Sequence, residues 1–373
     1  MSAKKILVTG GAGFVGSHLA DALLLAGHAV RVFDSFSPQV HGSEVPDYLS
    51  PEIELIKGDM RDAQVVRQAV EGIDVIFHLA AAVGVGQSMY QIADYMGANT
   101  QGTANLLQAL LDTKARVEKL IVASSMSIYG EGQYLCVNCG DVSPGPRPSE
   151  QLLKKHWETL CPICTWELTP VPTVESKPLQ CTSVYALSKK DQEEICLLYG
   201  RTYSLPVIAL RYFNIYGARQ ALSNPYTGVA AIFASRLLNH RAPLVFEDGR
   251  QMRDFVSVHD VVAANLLAME SDRANGHALN IGSGLPISIR EVATKLSNAL
   301  AVNVGCELTG KYRAGDIRHC FGDISMARKV LGYEPQISFE QGMSELVSWL
   351  RKQSAEDKAE NMVAELQTFG LTG

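Results

Sequence analysis

The 373-residue sequence contains no run of about 18 apolar residues, so nothing in it reads as a membrane-spanning helix. It also lacks a basic excess: 33 lysines and arginines stand against 39 acidic residues, a net charge of −6. A surface that neutralises nucleic-acid phosphates carries the opposite balance, which argues against DNA or RNA as a partner. Internal repeats and low-complexity tracts are missing, and apolar residues at 47% against charged ones at 19% exclude intrinsic disorder. At the N-terminus only Ile6, Leu7 and Val8 follow Lys4 and Lys5 before the polarity returns. A secretory signal needs an apolar core of roughly 7–15 residues. The expectation is a cytoplasmic protein that neither spans a membrane nor binds nucleic acid. Its eight cysteines should then be thiols or metal ligands rather than structural disulfides.

What is present is alternation. Short β-branched runs at 4–8, 29–33, 53–57, 75–79 and 120–123 read as buried parallel strands. Helical spacing separates them at 14–26, 63–70 and 91–113, which implies right-handed crossovers and a doubly wound parallel sheet. A helix at 184–203 and a strand at 207–211 continue the pattern. Shorter pieces follow: helices at 229–239, 263–270, 290–300, 325–331 and 340–352, a strand at 255–258, then a charged tail. The fold class expected is α/β, a Rossmann-type sheet in residues 1–213 with a smaller C-terminal α/β lobe, mainly substrate-binding, in 214–373. Residues 131–178 fit neither pattern. They hold seven of the 15 prolines, two of the three tryptophans and four of the eight cysteines, and read as an insertion in a loop.

Gly10-Gly11-Ala12-Gly13-Phe14-Val15-Gly16 follows the first strand and opens the first helix. Gly10, Gly13 and Gly16 permit a tight bend and close backbone approach, and the helix N-terminus offers free N–H groups to a pyrophosphate. Asp34 closes the second strand, 18 residues past Gly16, where a carboxylate accepts hydrogen bonds from an adenosine ribose 2′-hydroxyl and repels a 2′-phosphate. That favours NAD over NADP. Asp59, after the third strand, is placed near the adenine or in a plain turn. Ala80 and Ala81 after His78 are small enough for a backbone passing close to a dinucleotide, whereas His78 itself reads as core. Asn99 either supports the cofactor or ties two strands together.

Tyr185 and Lys189 are one helical turn apart, so phenol and ammonium share a face. Lowering a tyrosine pKa by about 3 units takes roughly 4 kcal/mol, which nearby cations in a dry site can supply. Ser125, in Ser124-Ser125-Met126-Ser127-Ile128-Tyr129-Gly130 directly after the fifth strand, lies where strand ends line a ligand crevice, or else caps a turn.

These motifs, together with Arg211-Tyr212-Phe213-Asn214-Ile215-Tyr216-Gly217, resemble an extended short-chain dehydrogenase/reductase, more narrowly its nucleotide-sugar epimerase and dehydratase branch. The likeness covers residues 1 to about 350 apart from the insertion. It implies catalytic roles for Tyr185, Lys189 and Ser125. It also implies that Phe14, Val15, Met60, Leu79, Ser124 and Tyr212 lie along the cofactor. Asn214, Arg253 and Arg313 would hold the diphosphate of a nucleotide-sugar substrate, a role that suits arginine forks, and Asn224 would also touch that substrate. Homodimerisation through two helices per subunit is a further implication.

Dehydratases of this branch and related decarboxylases carry an acid between the serine and the Tyr-Gly pair, whereas Met126 and Ser127 stand here. Elimination needs that extra acid, so 4-epimerisation with retained NAD is the expected reaction. A loss of Tyr185 or Lys189 would have marked a non-catalytic NAD sensor; both are present. The stretches 80–90 and 220–228 and the cysteine insertion are most similar to bacterial dTDP-L-rhamnose 4-epimerases. UDP-hexose 4-epimerases of the glucose/galactose type are the alternative, and an NAD(P)H-dependent reductase the more distant one.

Cys136-x-x-Cys139 and Cys161-x-x-Cys164, with 21 residues between the pairs, suit a four-thiolate structural zinc site, with free thiols as the alternative. Residues 136–168 carry a net charge of −1, which does not suit a nucleic-acid-binding ribbon. Because the insertion joins Ser125 to Tyr185, it is expected to act as a lid on the substrate mouth or as an oligomer contact.

Overall fold

The computed structural model describes residues 3–42 and 45–373; Met1 and Ser2, part of the N-terminal stretch discussed above, lie outside it. Seven parallel strands form the main sheet: β1 (Lys5–Thr9), β2 (Ala29–Asp34), β3 (Glu54–Lys57), β4 (Val75–His78), β5 (Lys119–Ser125), β6 (Val207–Tyr212) and β7 (Ala278–Ile281). Their order is β7-β6-β5-β4-β1-β2-β3, so the winding reverses at β1, between β2 and β4. A crevice opens at such a switch point, beyond the strands' C-terminal ends.

Period-two alternation divides the sheet's residues between two cores. Ile6, Val8, Val30 and Phe77 pack against α1 (Phe14–Leu25) and a later helix through Leu19, Leu23, Val261 and Ala264. Leu7, Ile76, Leu120 and Val122 face the other way, onto Leu106 and Leu110 of α2 (Gly102–Thr113) and Cys196 of α3 (Val184–Tyr203). The Ser183 hydroxyl caps α3 by accepting from the Ala186 N–H, which fixes where the helix starts and hence where Tyr185 sits.

Several expectations are corrected. β3 is an edge strand with exposed side chains rather than a buried one, because nothing pairs beyond it. The helix expected at 91–113 runs without a break from Ile92 to Thr113, but Met96–Gln101 widens into a π-turn between Ile92–Tyr95 and α2. The helix expected at 263–270 begins earlier, as α4 (Val258–Glu270). Ser257 accepts the His259 N–H as its cap, and the valines that mimic a strand instead fill the core. β7 was not anticipated. It brings the chain back from beyond residue 213 to pair with β6, with α4 packed beneath the same sheet. The charged tail is no loose end: α5 (Ala359–Thr368) folds back and buries Met362 and Leu366.

The rest of the C-terminal half builds a lobe around Phe233, Leu237, Phe255, Val292, Leu296 and Leu346. Its central strand, Met252–Ser257, pairs with Asn214–Tyr216, Pro286–Ser288 and His319–Cys320. The insertion forms a three-stranded antiparallel sheet, with Gln133–Cys136 between Gly140–Val142 and Thr169–Val171. No helix among the described residues is long and apolar enough to cross a membrane.

Candidate active site

A cavity of about 790 Å³ runs along the switch point between sheet and lobe. At one end lies the glycine turn. Gly10 has φ +68, and a Cβ there would stand 2.8 Å from the Ala80 backbone; one on Gly16 would overlap the Gly10 carbonyl. These contacts leave no room for a side chain, so the two glycines are required by the turn's own closeness. No side chain caps α1, and its first N–H groups face the cavity. The buried Asp34 carboxylate accepts from the Ala12 N–H at 3.0 Å and the Phe36 N–H at 2.9 Å, which aims it at the cavity from the end of β2. The site therefore fits a dinucleotide: a dipole end for phosphates and a fixed carboxylate for a ribose. Asp59 and Met60 line the same end, with Asp59 clasped by Arg61, whose hydrogen bonds hold its pKa below the ordinary value.

Phe14, Val15, Leu79, Ala80, Ala81, Ser124 and Tyr212 also line the cavity. Asn99 does not. It is fully buried in the π-turn, where its side-chain amide pairs with both the N–H and C=O of Ala82 and donates to Ser188 Oγ. Neither expected role is seen: it pins the loop after β4 onto α3, not one strand to another. The widened turn lets the side chain point inward.

Tyr185, Lys189 and Ser125 meet in the middle of the cavity. Burial raises the Tyr185 pKa above the ordinary phenol value, while the Ser125 hydroxyl beside it works in the opposite direction. The Tyr95 ring meets the Tyr185 ring edge-on, centroids 6.4 Å apart, and the Tyr185 N–H donates to Ser88 Oγ. Lys189 was expected to tune the phenol by its charge and to orient the nicotinamide ribose; no hydrogen bond joins it to the phenol here. Instead its ammonium donates to the Ala123 carbonyl and, at 2.7 Å, to Gln192 Oε1. Burial lowers the Lys189 pKa to about 7. Gln192 extends the chain to Thr103 Oγ1 and to His78, whose two ring nitrogens also face the Thr9 and Thr103 hydroxyls. Gln192 escaped the sequence reading, although it lies three residues past Lys189 on the same helical face.

At the far end, Arg253 and Arg313 share Asp316: Arg313 Nη2 lies 2.7 Å from one carboxylate oxygen and Arg253 Nη2 3.5 Å from the other. Burial alone would raise the Asp316 pKa; the two guanidiniums overcome it and hold the carboxyl ionised. Asn214 Oδ1 is buried there without a hydrogen-bond partner. The Asn224 amide oxygen accepts from Gln39 at 2.9 Å, a clasp across the crevice mouth. Met362, Leu366 and Leu371 close the adjoining wall, and Glu365 accepts from Tyr90 and Tyr226 to hold α5 in place. Nothing in local periodicity marks that wall, because it depends on where the C-terminus returns.

No described residue of the insertion lines the cavity, so the expected lid does not exist in this structure. Its four sulfurs do converge. Those of Cys136, Cys139, Cys161 and Cys164 lie within 4.8 Å of one another, with Cys136 and Cys164 at 3.5 Å. A hydrogen bond from the Trp166 N–H draws the Cys164 pKa down to about 6, while hydrogen bonding with Cys164 drives Cys139 up to about 12. Four thiols at this spacing fit a tetrahedral soft cation.

A phosphate-binding turn, a ribose carboxylate, a Tyr–Lys–Ser cluster and an arginine-lined far end define a dinucleotide-dependent enzyme acting on a phosphorylated substrate. Comparison with known proteins narrows the class. Residues 6–148 match the NAD dependent epimerase/dehydratase family and residues 167–346 match GDP-mannose 4,6 dehydratase. The dTDP-L-rhamnose 4-epimerase of Burkholderia thailandensis is 33% identical over 94% of this chain and 96% of its own length. The UDP-glucose 4-epimerase of Thermotoga maritima, solved with UDP-glucose, superposes with a TM-score of 0.77 at 30% identity, covering 93% of this chain and 99% of that one. The Thermus thermophilus UDP-glucose 4-epimerase, solved with NAD, gives 0.74 at 28% identity, with coverage of 93% and 99%. The chain belongs to the nucleotide-sugar epimerase family of the extended short-chain dehydrogenases/reductases.

Proposed function

We propose that the protein is an NAD-dependent nucleotide-sugar 4-epimerase that interconverts dTDP-L-rhamnose and dTDP-6-deoxy-L-talose. The observation that carries this reading is the set of carboxylates on the cavity wall: Asp34, Asp59 and Asp94 at the cofactor end and Asp316 between the arginines. None of these carboxyls adjoins Tyr185 as an extra acid, and the buried Glu193 carboxylate behind Ser124 is taken up by Arg211; this suits reversible proton transfer at one oxygen and not the elimination of water. Bound NAD would supply hydride acceptance from carbon 4 and its return to the opposite face. Tyr185 takes the proton of the 4-hydroxyl and gives it back, Ser125 hydrogen-bonds the same oxygen, and Lys189 provides positive charge behind them. Asn214, Asn224, Arg253 and Arg313 keep hold of the diphosphate while the 4-keto sugar turns over.

The sugar assignment draws on the loop after β4, where Ala82, Val83, Gly84 and Val85 line the cavity and offer no cation. Such a wall suits a methyl at carbon 6 better than a carboxylate. The four cysteines are proposed to hold a structural zinc. Exposed Leu111 on α2 and Leu187, Leu198 and Tyr203 on α3 support a homodimer through these helices.

Proton NMR of the purified protein with dTDP-L-rhamnose and, separately, UDP-galactose tests the reading, with no NAD added. A talose-configured signal in the first sample alone is the expected result. Conversion of UDP-galactose alone overturns the sugar assignment and keeps the chemistry. Turnover only after NAD is supplied overturns cofactor retention, and no turnover with NAD overturns the substrate choice or the epimerase reading.

A further inference from the structure

The insertion is far more firmly attached than a surface loop, and what it holds is the arginine end of the cavity. Glu131, at its start, accepts the Arg318 N–H at 2.8 and 3.0 Å and the His319 N–H at 3.3 Å. Glu158, just before the second cysteine pair, accepts from the Arg318 guanidinium and from His319 Nε2. Arg147, between the two cysteine pairs, donates to both oxygens of Glu247 and, at 3.3 Å, to the Asp316 carbonyl. The recipient segment, residues 313–319, carries Arg313 and Asp316, and its Ile317 and Arg318 carbonyls accept the Arg253 guanidinium at 2.6 and 2.9 Å.

The four cysteines bind this scaffold together at its root. Cys136 is two residues past Tyr134, whose hydroxyl donates to Glu131 and accepts from Thr159. Cys161 is two residues past Thr159 and three past Glu158. Tyr134, Cys136, Cys161, Val142 and Leu168 make a small core of their own. That core is only a handful of residues, too small to fix two carboxylates against several buried cations without a cross-link.

We infer that the metal held by Cys136, Cys139, Cys161 and Cys164 positions the diphosphate grip: it sets Glu131 and Glu158, which set residues 313–319, which present Arg313 and Arg253. The insertion therefore acts on substrate affinity from outside the cavity, and Glu131, Arg147 and Glu158 are positioning residues. This rests on reading the cysteines as a metal site and the two arginines as the grip.

The test uses the full-length enzyme with its cofactor, with dTDP and UDP as probes of the grip that carry no sugar. Metal content is measured by mass spectrometry, nucleotide affinity by calorimetry, and bound NAD after acid extraction. The expected result is one zinc per chain. Its removal by a chelator, or by Cys164→Ser, should weaken both diphosphates by about 10-fold or more, the scale of lost hydrogen bonds to charged groups. NAD content should hold and zinc return should restore the chelated enzyme's affinity. Glu158→Gln, at a half-exposed side chain, should weaken the nucleotides severalfold with zinc intact and raise KM with little change in kcat. Zinc that can be removed with no change in affinity overturns the positioning role and leaves the metal site standing. A chain that takes up no zinc overturns the metal reading and the inference with it. An Arg313→Ala variant with unchanged affinity overturns the grip.

Discussion

The two ends of the cavity are built from opposite materials. Around Tyr185 and Lys189 the hydrogen-bonded partners are neutral, namely Thr103, Gln192 and His78 with Thr9, Asn99 and Ser188 beside them, and the one charged pair, Glu193 with Arg211, lies behind Ser124. Around Arg253 and Arg313 they are charged, with Asp316, Glu131, Arg147, Glu158, Glu247, Asp248 and Arg318 in one network. Each suits the task proposed for it. A proton acceptor needs a setting in which modest interactions move its pKa, and a neutral, dry shell amplifies them. A diphosphate needs cations already fixed side by side against their mutual repulsion, which interleaved carboxylates provide.

The comparison predicts how each end breaks. Tyr185→Phe should cut kcat by about 10²–10⁴-fold, the usual worth of a general acid–base group, while the protein retains NAD and binds dTDP normally. Steady-state kinetics with calorimetry would show this, and weakened nucleotide binding would blur the division. Arg313→Ala should do the reverse, raising KM by about 10–100-fold with a smaller effect on kcat.

Last comes His78, whose effect falls on acid stability and not on turnover. Burial lowers its pKa to about 3, so the fold keeps the ring neutral while the unfolded chain takes up a proton below about 6.5. Its contribution is whole above that value and drains as pH falls toward 3, at up to about 1.4 kcal/mol per pH unit. His78→Asn should flatten this acid limb of the denaturation midpoint whatever it costs at neutral pH. Parallel acid limbs for the two proteins would place the loss elsewhere.

How much of this was legible in the sequence differs by end as well. The glycine turn, Asp34, Ser125 and the Tyr185–Lys189 pair were readable because each is a local arrangement, a strand end or one helical turn. All of them line the cavity. The tie made by Asn99 was missed because a π-turn leaves no mark in periodicity. The charged network was invisible: Glu131, Arg147 and Arg318 are far apart in sequence, and each alone looks like a solvated surface residue. The 263–270 helix came out short because Val258, Val261 and Val262 favour strand locally, whereas burial against the sheet made them helical.

By itself, then, the sequence determined the crossover pattern, the glycine turn, the Tyr185–Lys189 pair and the two cysteine pairs, since all of these follow from spacings within a few residues. Tertiary structure alone decided that β7 completes the sheet, that α5 returns to wall the cavity, and that the insertion braces the arginines instead of covering the site. Those outcomes rest on contacts between residues up to about 275 positions apart, whose free energy exists only once the chain has brought them together and removed the water between them.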